Sequence, residues 1–499
     1  MNTFMSNLAD ATNFTRTANG ALAHASTRSA VYDMFALGGA YRQRTEADCV
    51  MLLIKALSEN EELAMKCLFY LRDCRGGQGE RRFFRVCYRW LCTYHPEIAR
   101  RNLNQVSEYG RWDDLIVTTI DTPMWAEAMD IIREQLALDV QCKTPSLLAK
   151  WLPSENASAA ETKRMGKWVR TGLNFTCREY RKTLSELRSR INIVEKLMSQ
   201  NRWDEIEFDK LPSKAGLVYK NAFARRDILA KRYEAFAKSE KTTVNAKTLF
   251  PYEIVERASK TTDYWGYKFE NLNEVDRLML QKYWNNLPDY FNGKPSSIMA
   301  VVDTSGSMTD KGAAGVAPID VAIALGMYSA ERCGGPFKDH FISFSSKPQF
   351  IKVEGLDFVD KVRRIYQQNL CSNTNLERTF DLLMNAAKNA NPEDVPETLV
   401  VISDMQIDRM TDYGSRWTQS NAATEMERIR KRWALNGLKM PKLVYWNVNA
   451  IKDTILDSGE GVSFVSGCSP VLFEQIIKGV SGYDLMLQKL NSERYAVIH

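Results

Sequence analysis

The spacing of apolar residues changes once along this 499-residue chain, and that change limits the fold more than any single motif. From Thr27 to about Ala237 apolar residues recur every three or four positions, interrupted by short Gly, Pro, Ser or Asn punctuation, which is the period of short amphipathic helices. The spacing predicts helices over 46–57, 61–72, 80–94, 96–109, 125–139 and 177–198. Consecutive helices with brief connections most simply stack in antiparallel pairs, as in a helical solenoid. An internal echo, Gly110-Arg111-Trp112-Asp113-Asp114-Leu115 against Asn201-Arg202-Trp203-Asp204-Glu205-Ile206, points the same way. After the break Asn292-Gly293-Lys294-Pro295-Ser296-Ser297 the rhythm alters. Strands are expected at 298–302, 341–344, 398–403, 442–446 and 462–466, with helices at 318–332, 375–387 and 422–433 between them. Strands alternating with helices imply a mostly parallel sheet covered on both faces. The expected organisation is an N-terminal segment 1–26, a helical repeat domain 27–250, a helical linker 251–296, a doubly wound α/β domain 297–485 and a tail 486–499.

Composition removes several alternatives. With 44% apolar and 26% charged residues the chain is neither disordered nor fibrous. No uninterrupted apolar run reaches membrane-spanning length, and 1–10 lacks the basic and apolar regions of a secretory signal, so a cytoplasmic, membrane-free protein is expected. Ten cysteines lying mostly in apolar segments suit a reducing compartment. Cys74, Cys87, Cys92 and His95 carry zinc-ligand chemistry but at no standard zinc spacing, and buried thiols are the reading for them. The net charge of +6 is unevenly spread. Residues 1–250 hold 39 Lys and Arg against 30 Asp and Glu, whereas 251–499 hold 28 against 31. Within the first half, 163–247 carries 21 basic and 10 acidic residues, a pattern expected of a polyanion-binding stripe or of a solvated helical face.

The first predicted strand runs into Asp303-Thr304-Ser305-Gly306-Ser307-Met308. A ligand crevice is expected at the carboxyl end of a parallel strand, and one carboxylate with two hydroxyls can turn three hard oxygens to one point. Gly306 would let the backbone bend between them. The competing reading is ordinary capping and turn chemistry. Ser372-Asn373-Thr374-Asn375 adds a hydroxyl before a helix, and Val400-Val401-Ile402-Ser403-Asp404 ends a buried strand in a second carboxylate. In this order the segments resemble the metal-ion-dependent adhesion site (MIDAS) of von Willebrand factor A domains. The resemblance implies Mg²⁺ held by Ser305, Ser307 and Thr374 directly and by Asp303 and Asp404 directly or through water, with one position open to an acidic group of a partner.

In the helical half, Arg72-Asp73-Cys74-Arg75-Gly76-Gly77-Gln78-Gly79-Glu80-Arg81-Arg82 is a glycine-rich turn opening a helix on which Arg81, Arg85 and Arg89 share a face. It lacks the ending of a P-loop and follows no strand, so as a phosphate loop it is weak. Together with Glu108-Tyr109-Gly110-Arg111-Trp112-Asp113-Asp114-Leu115 it resembles the TROVE module of Ro ribonucleoprotein autoantigens, in which TROVE precedes an A domain. The segment Ser146-Leu147-Leu148-Ala149-Lys150-Trp151-Leu152-Pro153 departs from that pattern, which marks a divergent branch. The resemblance implies HEAT-like repeats closing into a ring that holds single-stranded RNA ends and structured small RNAs.

The expected function is therefore nonenzymatic RNA binding with a Mg²⁺-binding A domain. Lys163, Arg164, Lys167, Arg170, Arg181, Lys182 and Arg188 are the candidate phosphate contacts besides Arg81, Arg85 and Arg89. Trp168 and Tyr180 could stack on bases, but aromatic residues at helical spacing more often belong to a core, and that is the expectation for both. The alternative is a Mg²⁺-dependent protein-interaction scaffold without RNA. A metal-dependent hydrolase lacks a positioned base and nucleophile, and a structural role is expected for His340.

Overall fold

The computed structural model describes residues 12–191, 193–259, 269, 271–311, 315–344, 347–368, 375–407, 424–457, 459–480 and 482–499. It resolves into two compact units, Met1–Cys67 with Leu249–Ser492, and Leu68–Thr248 with Glu493–His499. This division by compactness differs from the segments read from hydrophobic rhythm in placing 27–67 and 251–296 in the unit that contains the sheet.

The first unit is built on six strands in the order β5-β4-β3-β6-β7-β8: β3 Ile298–Asp303, β4 His340–Phe344, β5 Gln349–Lys352, β6 Thr398–Ser403, β7 Lys442–Asn447 and β8 Val462–Ser466. All neighbours are parallel except β4 and β5. The two central strands, β3 and β6, are buried at every position, so each reads as a continuous apolar run rather than an alternating one. The helix Pro318–Arg332 is buried from Pro318 to Ala330 and presses so closely on β3 that a Cβ at Gly326 would come within 2.5 Å of Val302 Cγ2.

The N-terminal elements of this unit were among those not singled out in the sequence. The hairpin β1 Phe14–Arg16 and β2 Leu22–His24 is antiparallel, and His24 bridges to Ile455 beyond β7. The helix Ala30–Leu37 then lies along β8: the Phe464 amide donates to Tyr32 Oη (2.8 Å), and Ser466 Oγ accepts from the Gly39 amide (3.0 Å) and donates to the Phe35 carbonyl (3.0 Å). These bonds carry the N-terminal helix into the α/β unit.

The second unit is helical in its described residues. An aromatic cluster of Phe69, Phe84, Tyr88 and Tyr109 has ring centroids 5.2–5.9 Å apart, and another joins Phe208, Phe223, Tyr233 and Phe236. The expected helix 96–109 is divided, with Pro96–Arg101 ending where buried Asn102 accepts from the His499 amide (2.8 Å). The expected helix 177–198 stops at Arg190 and resumes at Val194. The internal echo has no structural counterpart: Trp112–Thr119 is an α-helix, whereas Trp203–Glu205 is a single 3₁₀ turn.

The glycine-rich turn closes on its own chain. A Cβ on Gly77 would meet the Tyr70 carbonyl oxygen at 2.0 Å, so only glycine fits. Buried Asp73 accepts from the Arg75 amide (2.9 Å), from Tyr495 Oη (3.0 Å) and from both sides of the Arg494 fork. Burial alone would raise its carboxyl, but Arg494 and the amides hold it below the usual range. The turn seats Glu493–His499.

In the first unit Asp320 is buried in the first turn of Pro318–Arg332, taking hydrogen bonds from Tyr366 Oη and, at 3.4 Å, Ser259 Oγ, while Oδ2 has no partner among the described residues. Burial pushes its carboxyl up to about 6, with Glu256 adding to the rise. A raised folded-state value favours the protonated form, so its contribution is full below about 3.9 and is lost as pH rises through about 6. Denaturant unfolding from pH 4 to 7 should show the wild type losing up to about 3 kcal/mol relative to Asp320→Asn. Parallel pH profiles would refute the assignment.

Candidate metal site and nucleic-acid surface

Strand register builds the first site. Val302 pairs with Ile402 across β3 and β6, which brings the residues ending both strands together at the point where connections turn to opposite sides of the sheet, the usual crevice of a doubly wound fold. Asp303 and Asp404 are both fully buried there. Asp303 Oδ2 accepts from Ser403 Oγ (2.5 Å) and Oδ1 from the Ser305 amide (2.9 Å). Asp404 Oδ1 accepts from the Gln406 amide (3.0 Å), while its Oδ2, equally buried, has no hydrogen-bond partner among the described residues. Ser305 Oγ and Ser307 Oγ lie 3.2 Å apart. Burial, and then the neighbouring Asp404 charge, raise Asp303 to about 7, and burial raises Asp404, with the Gln406 amide and Ser307 hydroxyl partly offsetting it.

Two carboxylates sharing a dry crevice, one with an idle oxygen, and two adjacent hydroxyls form a hard-oxygen donor set that suits a small divalent cation. Among the described residues no three His, Cys, Asp or Glu side chains converge, and Asp303 and Asp404 are the carboxylates they bring to this crevice. Thr374, the fifth residue of the expected set, lies outside the described residues. Gly306 is corrected: its φ is not in the left-handed region and a Cβ would meet nothing within 4 Å, so the backbone does not need glycine there.

The β1–β2 hairpin, invisible to the motif search, supports the Asp404 side. Thr17 Oγ1 donates to the Ile407 carbonyl (2.7 Å), the Ala18 amide to Gln406 Oε1 (2.6 Å) and Asn19 Nδ2 to the Gln406 carbonyl (2.6 Å). Between Asp404 and Gln406, Met405 sits at φ 61°, a strained conformation for a long side chain that the surrounding bonds enforce. Strand His340–Phe344 begins with His340 stacked on Phe350 at 4.7 Å.

The second site is in the helical unit. Lys163, Arg164 and Lys167 are exposed on the helix Ala160–Gly172, and Arg181 and Lys182 on Cys177–Arg190. None of Lys163, Arg164, Lys167 and Lys182 pairs with a carboxylate among the described residues. Trp168, expected in the core, is 41% exposed one turn beyond Arg164, while Tyr180 is 1% exposed and donates to the Pro153 carbonyl (2.8 Å). Other expected contacts are engaged internally. Arg170 pairs with Glu155 (2.8 Å), and Arg188 donates to the Ala149 and Leu152 carbonyls and to Ser154 Oγ. Arg85 is bound to Asp113 and Asp114, and Arg89 donates to the Val117 carbonyl (3.1 Å). Arg81 is exposed. Cys87 and Cys92 are buried, and burial pushes the Cys92 thiol up to about 12.

Comparison with known proteins matches two family models, one described as domain of unknown function DUF2828 over residues 17–121 and 148–291, the other as domain of unknown function DUF7788 over 297–489. The chain is 29% identical over 510 residues to the uncharacterized protein L728 of Acanthamoeba polyphaga mimivirus, covering 93% of this chain and 85% of that one. Among solved structures it is similar to the Ro (RSR) protein of Deinococcus radiodurans at 14% identity and a TM-score of 0.36, over 94% of this chain and 100% of that one. No described helix is long and apolar enough to cross a membrane.

Ser403 holds the crevice together through Asp303 Oδ2 and by accepting from the Met405 amide (2.9 Å). Ser403→Ala leaves both buried groups short of a partner and should lower the unfolding free energy by about 1–3 kcal/mol at pH 8. Chemical denaturation followed by tryptophan fluorescence measures it, and an unchanged midpoint would contradict the bonding described.

Proposed function

We propose that this chain is a nonenzymatic RNA-binding protein whose helical unit grips single strands and whose α/β unit is of the von Willebrand A type with a Mg²⁺ site. The observation that carries the reading is the exposed indole of Trp168 on a helix face with Lys163, Arg164 and Lys167, none of them neutralised internally. An aromatic plane flanked by free cations is the usual platform for single-stranded nucleic acid, with bases stacking on the ring and phosphates meeting the cations. Arg181 and Lys182 extend the basic surface on the next helix.

Fluorescence anisotropy with a labelled RNA hairpin bearing a single-stranded tail tests it. Affinity should fall linearly in log salt. Trp168→Ala should weaken tail binding by about 5- to 100-fold, from roughly 1–3 kcal/mol per stacked base. Lys163, Arg164 and Lys167 changed together to Ala should make the salt slope shallower. RNA affinity indifferent to both variants would overturn the surface.

A second reading, a Mg²⁺-dependent scaffold for a protein partner, is favoured by the idle Asp404 Oδ2 beside Asp303. Ser305, Ser307, Asp303 and Asp404 would hold the ion, and Mg²⁺ bound there would supply a Lewis-acidic position for a partner's carboxylate. The chain's own part is to keep two buried carboxylates together at the ends of adjacent strands. Mg²⁺ at 100 times its dissociation constant should add about 2.7 kcal/mol to the stability of the wild type. Asp404→Asn should lose that gain. Thermal melts unmoved by Mg²⁺ would remove the ion from the proposal.

A further inference from the structure

The helical unit carries a cluster of guanidinium groups that its carboxylates do not balance. Arg72 Nε and Nη2 reach Asp114 Oδ2 (2.9 and 2.6 Å). Arg85 bridges Asp114 Oδ1 (2.6 Å) and Asp113 Oδ2 (2.7 Å), and Arg111 grips both Asp113 oxygens (2.9 and 2.7 Å). Arg111 also lies over the Trp151 ring, 4.0 Å from its centroid, which fixes the plane of its fork. Two carboxylates thus serve three arginines. Asp113 and Asp114 both begin the helix Trp112–Thr119, and the Arg111 amide completes the bonding of Asp114 (2.9 Å).

A fourth arginine lies one helical turn before Arg85, on the same helix face. Arg81 is the first residue of the helix Arg81–Tyr94, is exposed, and has no hydrogen bond or ion pair with any described residue. Partial desolvation and then the charges of Arg111, Arg85 and Arg72 lower its proton affinity, outweighing Asp114. The other nearby carboxylates are committed: Glu80 caps the helix through the Arg82 and Phe83 amides, and Asp73 is taken by Arg494. The four guanidiniums and two aspartates leave an excess charge of two, with the five N–H donors of Arg81 and the Nη1 groups of Arg85 and Arg111 outside every carboxylate bond described.

We propose that Arg81, with Arg111 and Arg85 behind it, forms a site for a phosphomonoester dianion, the phosphorylated end of an RNA strand or a free phosphorylated small molecule. A terminal phosphate carries about −1.5 to −2 charge at neutral pH and matches the excess, whereas an internal phosphodiester carries one charge. Arginine forks already oriented by Asp113, Asp114 and Trp151 need little ordering to accept phosphate oxygens. The identification of the carrier as RNA rests on the reading under Proposed function; the phosphate chemistry does not.

The test uses the full chain and three versions of one single-stranded RNA, with a 5′-phosphate, a 3′-phosphate or hydroxyl ends only, together with inorganic phosphate in thermal melts. One phosphorylated end should bind at least ten times more tightly than the hydroxyl-ended strand. Arg81→Ala should reduce that preference below twofold and leave the melting temperature in phosphate-free buffer unchanged. Arg81→Lys should retain part of it. Equal affinity for all three strands, or a preference that survives Arg81→Ala, overturns the site while leaving the Trp168 surface standing. If no strand binds but inorganic phosphate raises the melting temperature of the wild type and not of Arg81→Ala, the RNA reading fails and the site stands for phosphorylated small molecules. No response to phosphate and no end preference refute it.

Discussion

Side-by-side burial of Asp303 and Asp404 is the constraint on which the α/β unit turns. Parallel pairing of β3 with β6 delivers both residues to one crevice, and the fully apolar interior of those strands removes the water that would otherwise share their charge. The protein answers with Ser403 and the Ser305 and Gln406 amides, which satisfy three oxygens and leave the fourth without a hydrogen-bond partner among the described residues. Burial raises both carboxyls, and the neighbouring Asp404 charge adds to the rise of Asp303. The same crowding makes a hard cation a natural counterpart, and the N-terminal hairpin reinforces the segment just beyond Asp404.

In the helical unit the governing question is which cations are already used. Asp73, Asp113, Asp114 and Glu155 consume Arg494, Arg72, Arg85, Arg111 and Arg170, and those arginines act as internal braces. Arg188 is spent on carbonyls. Of the expected contacts, what stays exposed is a smaller set, Lys163, Arg164, Lys167, Arg181 and Lys182 with the exposed Trp168, and separately Arg81. Charge counted along the chain overstates the surface because buried ion pairs are invisible to it.

Regular elements were legible where burial imposes a period. The helix Glu61–Arg72, the helix Pro318–Arg332 and the strands β6 and β8 have the bounds that their apolar patterns predict. The short edge strand β5 was not, since Gln349-Phe350-Ile351-Lys352 pairs antiparallel with β4 and carries no pattern long enough to read. The same holds for the hairpin of Phe14–Arg16 and Leu22–His24, whose three-residue strands draw their stability from partners near residue 406. The packing of the glycine-rich turn was hidden for another reason. Its glycines answer to the Tyr70 carbonyl and its Asp73 to Arg494, both of which are tertiary facts.

By itself the sequence determined the change from helical packing to a parallel sheet and the identity of the polar residues that end the central strands, because period and strand-end chemistry are local properties. Only the tertiary structure decided that residues 27–67 belong with the sheet, since this depends on Tyr32 and Ser466 finding partners more than 400 positions away. It also decided that Trp168 faces solvent while Tyr180 faces the core. The rotation of each helix against its neighbours, which no window of sequence contains, selects the residues that solvent and ligands can reach.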